Sequence, residues 1–292
     1  MLLKSKTFIL YTTLCLIWGT TWVILKKSLI EGTPAIYGVG LRFFAAGIIL
    51  LLITFILKRP IPRSREAINI YISFGLLNLV IGYGVTYWAT QFIYSNLASI
   101  LWAGFPIIVV IISHFYLPDE KINLPKIITI AIGTSGVLLI LSQGKAFGDN
   151  EVFLGMSLIV FAVIMAAWPN VYLKKHNHAV DTLTMNALCQ TGAGIILLTI
   201  SSFLEKDQVM VWSPYNIFAM VYLTLFGSVA AWLIYIWLFK HLTMTQIAYI
   251  AFSPPVIASF LGWKFLGEAL TPLSILGAIM VISGAVAINI KR

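Results

Sequence analysis

The sequence predicts an all-α polytopic membrane protein: ten transmembrane helices arranged as two inverted five-helix repeats. Three observations carry that prediction. Charge is scarce, at 10% of 292 residues against 60% hydrophobic ones, where a soluble domain carries about 25%, and the mean hydropathy is +0.96. Apolar runs of membrane-spanning length follow one another with short polar punctuation. The second half of the chain repeats residues of the first, in order, about 148 positions on.

The ten runs cover 8–25, 36–57, 70–92, 97–117, 124–141, 153–173, 183–203, 217–239, 245–266 and 273–290. They are apolar all round, so no polar stripe sets a face. They are also too long and unbroken for the alternating strands of about ten residues in a membrane barrel. The first run follows Lys4 and Lys6, as a secretory signal would. It has no small-x-small cleavage site and continues through Trp18 and Trp22, so it reads as a retained first helix. The gaps at 142–152 and 204–216 are too short to house a soluble domain.

The basic residues sort by side. With the N-terminus in the cytoplasm, inner segments hold thirteen Lys and Arg, outer segments hold five, and Arg42 lies within a span. This positive-inside bias predicts a multi-pass protein of the cell (inner) membrane with both termini cytoplasmic. The net charge of +9 is then an orientation signal, and no nucleic-acid partner is expected. Cys15 and Cys189 both fall in spans, where they read as small apolar fillers and not as a disulfide.

The repeat is specific. "LRFFAAGIILL" (41–51) aligns with "LCQTGAGIILL" (188–198), matching Gly47 to Gly194, and "VILKK" (23–27) aligns with "VYLKK" (171–175). Tyr87 meets Tyr235, Glu120 meets Glu268, and Gly136 meets Gly284. The two copies are residues 1–148 and 149–292. Five spans is an odd number, so the second copy enters the membrane upside down, the architecture of many secondary transporters.

Proline marks equivalent places in the two copies. "AYIAFSPPVIASFLGWKFLGEALT" (248–271) has Pro254 and Pro255 within an apolar run, and "AGFPIIVV" places Pro106 in its counterpart. A proline within a helix removes a hydrogen bond, here leaving the carbonyls of Ile250 and Ala251 without their usual partners. Unpaired backbone at that depth is tolerated against protein or a watery cavity. Pro106, Pro254 and Pro255 therefore read as cavity-lining hinges, with simple packing kinks as the alternative.

Together with "IWGTTW" in the first run and "LRFFAAG" in the second, the order of Pro, Glu and Gly in each half resembles the EamA-type branch of the drug/metabolite transporter superfamily. The resemblance covers essentially the whole chain. It implies a ten-helix inverted-repeat fold that moves small organic metabolites, often amino acids or related compounds, commonly outward. The second half departs from the pattern: Cys189 stands opposite Arg42, and "AAWPN" (166–170) replaces the tryptophan-glycine motif.

Arg42 is the one basic residue inside a span and away from its ends, and so a candidate anion contact for a substrate carboxylate or phosphate. The alternatives are outward snorkelling, or a tie from the second helix to a freed carbonyl. Trp18, Asn78, Tyr83, Trp102, Trp168, Ser228, Trp232, Gln246, Tyr249 and Ser253 are the candidate substrate-binding residues. The last three are spaced i, i+3, i+7, on one face of the ninth helix. Trp22 and Trp212 suit an aromatic belt. Glu120 and Glu268 suit turns, each favouring the N-terminal dipole of the helix that follows it.

No Asp or Glu lies within a run, so the proton-coupling device of a buried carboxylate is missing. His176 and His178 do not complete a metal shell. No catalytic constellation, metal or cofactor is expected. Gly133, Gly136, Gly277 and Gly284 permit close approach of the fifth and tenth helices, where a dimer contact is open. The expected partners are a small-molecule substrate and membrane lipid, with the protein a monomer or weak homodimer. The reading is a carrier of small neutral or zwitterionic metabolites working by alternating access. Its rivals are a sugar, nucleotide-sugar or phosphorylated-metabolite carrier of the same fold and, further off, a membrane enzyme or scaffold.

Overall fold

A computed structural model describes residues 5–93, 95–141, 150–266 and 272–290, and every regular element among them is helical. The helices are α1 (Ser5–Ile30), α2 (Ala35–Ile56), α3 (Arg65–Ala89), α4 (Ser95–Trp102), α5 (Phe105–Tyr116) and α6 (Leu124–Leu141) in the first half. The second half holds α7 (Asn150–His176), α8 (Thr182–Leu204), α9 (Pro214–Leu238), α10 (Met244–Ala248), α11 (Ser253–Leu266) and α12 (Pro272–Ile290). Among the described residues, seven helical stretches are long and apolar enough to cross a membrane. The chain is a multi-pass integral membrane protein.

Polar residues at the turns set where the helices begin. Ser64, Asp181 and Ser213 each accept a backbone N–H from the first turn of the helix that follows, and Pro214 fills a first-turn position where no donor is needed. Two carboxylates do the same across the fold. Glu205, buried at the end of α8, accepts the N–H groups of Ile36 and Tyr37 at the start of α2, both at 2.8 Å. Glu120, also buried, accepts from Met244 N at 2.7 Å and from the N–H and hydroxyl of Thr245 at 3.2 and 3.3 Å. Glu120 was expected to serve the next helix, α6; it caps α10 instead, 124 residues on. The reason is that the start of α10 brings several otherwise unsatisfied donors against one buried carboxylate. Glu268 lies outside the described residues.

The packing pairs the halves. α2 lies along α8, and α6 lies along α12. α1 packs on α9 and α11, while α7 packs on α3, α4 and α5. α2 also meets α9, as α8 meets α3. Exchanging α1–α6 for α7–α12 converts each of these contacts, save that of α7 with α4, into another on the same roll. The α2–α8 crossing rests on the repeated glycines. A Cβ on Gly47 would come within 2.4 Å of the Thr191 backbone nitrogen, and one on Gly194 within 2.4 Å of the Phe44 nitrogen. Gly136 makes its close approach to Gly277 of α12, where a Cβ would lie 2.6 Å from the carbonyl oxygen, so this approach lies within one chain.

Irregular winding recurs at matching positions. α3 is wound as a π-helix over Phe74–Tyr83 and α9 over Leu223–Ala230. The chain breaks between α4 and α5 at residues 103–104, and between α10 and α11 it tightens into a 3-10 turn over Tyr249–Phe252. These breaks correct the placing of the prolines. Pro106 sits in the first turn of α5, and Pro254 and Pro255 follow Ser253 at the start of α11, where the missing N–H groups cost little. The Ile250 carbonyl has partners as well, accepting from the backbone N–H and, at 2.7 Å, the hydroxyl of Ser253.

Candidate functional site

The two breaks and the π-helical stretch of α3 border one cavity. Its wall takes Trp18 and Trp22 from α1, Arg42 from α2, Asn78 and Tyr83 from the π stretch of α3, Trp102 from α4, and Trp232 and Tyr235 from α9. Ala251, within the 3-10 turn between α10 and α11, and Pro254, at the start of α11, complete the wall.

The rings form a connected wall. The Trp102 and Tyr83 centroids are 6.1 Å apart, those of Tyr83 and Trp232 5.8 Å, and those of Trp232 and Trp18 5.6 Å, with Tyr235 5.1 Å from Trp18. Offset and edge-on contacts of this kind are favourable for aromatic pairs and hold the rings in place. Polar bonds fix the rest. Tyr235 donates to Asn170 Oδ1 at 3.0 Å, Asn170 Nδ2 donates to Asn78 Oδ1 at 3.0 Å, and Trp102 Nε1 donates to the Thr86 hydroxyl at 3.0 Å.

Arg42 is 3% exposed, which excludes outward snorkelling. Its Nε donates to Ser228 Oγ at 2.6 Å, Nη1 to the Tyr87 hydroxyl at 2.6 Å and Nη2 to the Gly227 carbonyl at 2.8 Å. Phe43, Tyr83 and Tyr87 lie 5.5–6.0 Å from the guanidinium carbon, a distance at which ring faces stabilise a cation. The carbonyl it reaches lies in the π-helical stretch of α9, and the absence of a side chain at Gly227 admits the guanidinium: a Cβ there would stand 3.0 Å from Nη2.

The remaining candidates divide. Trp18, Asn78, Tyr83, Trp102, Trp232, Arg42 and Pro254 share the cavity wall. Ser228 stands behind it as an anchor for Arg42. Gln246, Tyr249 and Ser253 do not line the cavity. The face assigned to them assumed one continuous α-helix, and the 3-10 turn rotates it away. Gln246 completes a capping box with Thr243, Tyr249 packs edge-on against Phe252, and Ser253 bonds back to Ile250. Trp168 is half-exposed and stacks on Tyr172 at 5.1 Å, away from the cavity. Trp22, expected in a belt, lines the cavity instead. His176 and His178 both face Glu66, at 3.7 and 3.6 Å. Tyr87, Asn170 and Tyr235 belong to the wall, and the Tyr87–Tyr235 match in the repeat was the signal for two of them.

The "KK" motifs, which carried no role in the sequence, have one here. Lys26 of α1 donates to the carbonyls of Thr90 and Ile93 at the end of α3, at 2.7 and 3.0 Å. Lys174 of α7 donates to those of Phe239 and Leu242 just after α9, the latter at 2.6 Å. Lys6, at the start of α1, lies over the ring of Trp237 at the end of α9, 5.2 Å from its centroid. The two lysine clamps therefore lie toward opposite ends of α1.

The sequence pattern of the EamA-like transporter family matches residues 5–142 and again residues 153–290. The chain belongs to the EamA-like transporter family. Relatives agree along most of their length. The Bacillus subtilis (strain 168) protein named uncharacterized transporter YoaV is 29% identical over 270 residues, covering 92% of this chain and 91% of that one. A Buchnera aphidicola (subsp. Schizaphis graminum) protein named uncharacterized transporter is 30% identical over 263 residues, covering 88% and 85%. The Escherichia coli (strain K12) uncharacterized inner membrane transporter YedA is 28% identical over 280 residues, covering 96% and 89%. A crystal structure of 17% sequence identity has the same fold, with a TM-score of 0.79 over 97% of this chain and 96% of that one. As an EamA-like protein the chain is a membrane transporter and not an enzyme.

Proposed function

We propose that this EamA-like protein is a secondary transporter of small neutral or zwitterionic organic metabolites such as amino acids, an exporter working by alternating access. The reading takes ten transmembrane helices as two inverted repeats, 1–148 and 149–292, with both termini in the cytoplasm of the inner membrane. The protein acts as a monomer or weak homodimer, with the small-molecule substrate and membrane lipid as its partners.

The observation that carries it is the cavity between matched halves, flanked by helices broken at matching positions beside Pro106 and Pro254-Pro255. Substrate sites of inverted-repeat carriers lie at such interfaces and beside such breaks. The interchange of contacts between α1–α6 and α7–α12 supports the repeat. The clamps at opposite ends of α1 suit a molecule that opens one end at a time, because each ties α1 or α7 to the far end of a helix in its own half. A phosphorylated cargo would call for a cluster of cations, and among the described residues Arg42 is the one charged residue in the wall.

Counterflow tests the function. Purified protein in liposomes preloaded with one metabolite should accumulate the same labelled compound against a panel of amino acids, sugars and sugar phosphates. Accumulation of sugar phosphates and no other class would replace the proposed cargo, and no counterflow with any class would remove the carrier reading. Topology has its own test. Reporter fusions after Arg65 and Lys121 should report the cytoplasm and fusions near Asn150 and Asp207 the outside.

A further inference from the structure

The unpartnered polar side-chain atoms of the cavity wall have one sign. Among the described residues, three of its buried side-chain polar atoms have no hydrogen-bond partner: Trp18 Nε1, Asn78 Nδ2 and Trp232 Nε1. All three are donors. The acceptors nearby are already engaged with donors of the wall: Asn78 Oδ1 receives Asn170, Asn170 Oδ1 receives Tyr235, and the Tyr87 hydroxyl receives Arg42. Arg42 itself uses three N–H groups on neutral acceptors, and a guanidinium has five. Among the described residues, no carboxylate lines the cavity. The wall thus holds a buried positive charge without a counter-charge and a set of unmatched donors around it. Unmatched buried donors and unpaired buried charge are both costly, and a ligand that accepts from them removes that cost.

We infer that this cavity binds the carboxylate of its cargo, with Arg42 and the N–H groups of Trp18, Asn78 and Trp232 as the receiving donors. The inference rests on the transporter reading and narrows it: neutral solutes are poor cargo, and the recognised feature is an anionic carboxylate beside an apolar body. Charge-assisted bonds from several donors discriminate a carboxylate from its amide, which offers one acceptor oxygen and brings donors of its own. The Trp102–Tyr83–Trp232–Trp18 wall supplies the apolar face for the rest of the molecule. Tyr87, Ser228 and Gly227 are positioning groups that hold the guanidinium at the cavity.

The test compares acids with their own amides on purified full-length protein. Benzoate and benzamide, phenylacetate and phenylacetamide, and isovalerate and isovaleramide are each titrated, reading intrinsic tryptophan fluorescence and the ligand-dependent rise in melting temperature. At least one acid should bind about tenfold or more tightly than its amide, the size of one charge-assisted bond. Trp232→Phe keeps an aromatic ring and removes one donor, and it should weaken that acid by a larger factor than its amide, measured on variant protein that is still folded by its melting transition. Arg42→Lys should weaken the acid as well, because the planar fork is lost. The proposal is overturned if no acid outbinds its amide, or if Trp232→Phe and Arg42→Lys both bind the acid as the parent does. Counterflow separates the two claims. Acid-selective binding without transport would spare the carboxylate site and remove the carrier reading. Transport of neutral compounds without acid selectivity would do the reverse.

Discussion

The two halves of the chain share their frame and differ in what they present to the cavity. Lys26 and Lys174 make the same clamp in each half, Gly47 and Gly194 the same close approach, and the π-helical stretches of α3 and α9 fall at the same place. At the cavity the correspondence ends. Arg42 has Cys189 opposite it in the repeat, Trp22 has Asn170, and Tyr87 and Tyr235 keep their identity while changing partners, one receiving Arg42 and the other donating to Asn170. Frame residues bear on folding, which applies to both copies. Wall residues, on the proposed reading, meet a single solute and are free to differ between the copies. Duplication explains the first set, and divergence at the wall explains the second.

The comparison can be broken most severely at the shared glycines. Gly47→Ala and Gly194→Ala each push a Cβ against backbone atoms that have no room to yield, so each should cost about 3 kcal/mol or more and reduce folded protein to a small fraction. Equal loss in the two variants, read by size-exclusion profile and melting temperature, supports a common frame. A mild effect in one of them would show that the halves pack differently.

Next in size is the cap at Glu120. Glu120→Ala strips the buried start of α10 of its acceptor and should lower stability by about 2–3 kcal/mol, with Glu120→Gln intermediate. The matching experiment on the α2 cap, Glu205→Ala, should give a similar drop in melting temperature. The lysine clamps come third. Lys26→Met and Lys174→Met should each destabilise by about 1–2 kcal/mol, since each loses charged hydrogen bonds to carbonyls. Their transport effects should differ by direction, one variant loosening the outward-opening end and the other the inward-opening end, read as unequal changes in influx and efflux. Identical changes in both directions would remove the clamps from gating.

The smallest effect on stability sharpens the contrast. Gly227→Ala asks the Arg42 guanidinium to give way by a few tenths of an ångström and should cost about 1 kcal/mol or less. Its effect on substrate affinity should exceed its effect on melting temperature, because Gly227 serves the wall. Affinity that is unchanged while stability falls would reassign it to the frame.

What the sequence made legible follows the same division. Composition and run length identify a membrane bundle, and the ordered matches near a shift of 148 identify the duplicated residues that the structure places in the frame. The wall was partly legible. Arg42, Trp18, Asn78, Tyr83, Trp102 and Trp232 stand out because a polar or large aromatic group inside an apolar run is rare enough to notice. Gln246, Tyr249 and Ser253 were misplaced, because residue spacing fixes a helix face only where the winding is regular, and a 3-10 turn intervenes. Trp22 was assigned to the interface from its nearness to a run end, which carries no information on rotation about the helix axis. The reach of Glu120 to α10 was illegible, since it depends on which distant helix start the bundle brings beside it.

Access to the cavity from each side in turn is the central claim, and one labelling experiment addresses it most directly. In a Cys15→Ala, Cys189→Ala background, Ala251→Cys places a single thiol on the wall beside the α10–α11 break. A membrane-impermeant thiol reagent is added to right-side-out vesicles and, separately, to inside-out vesicles, with and without a transported compound. Labelling from both sides, slowed by the compound in both preparations, is the predicted result. Labelling confined to one side whatever the compound, or no labelling from either, would contradict alternating access through this cavity.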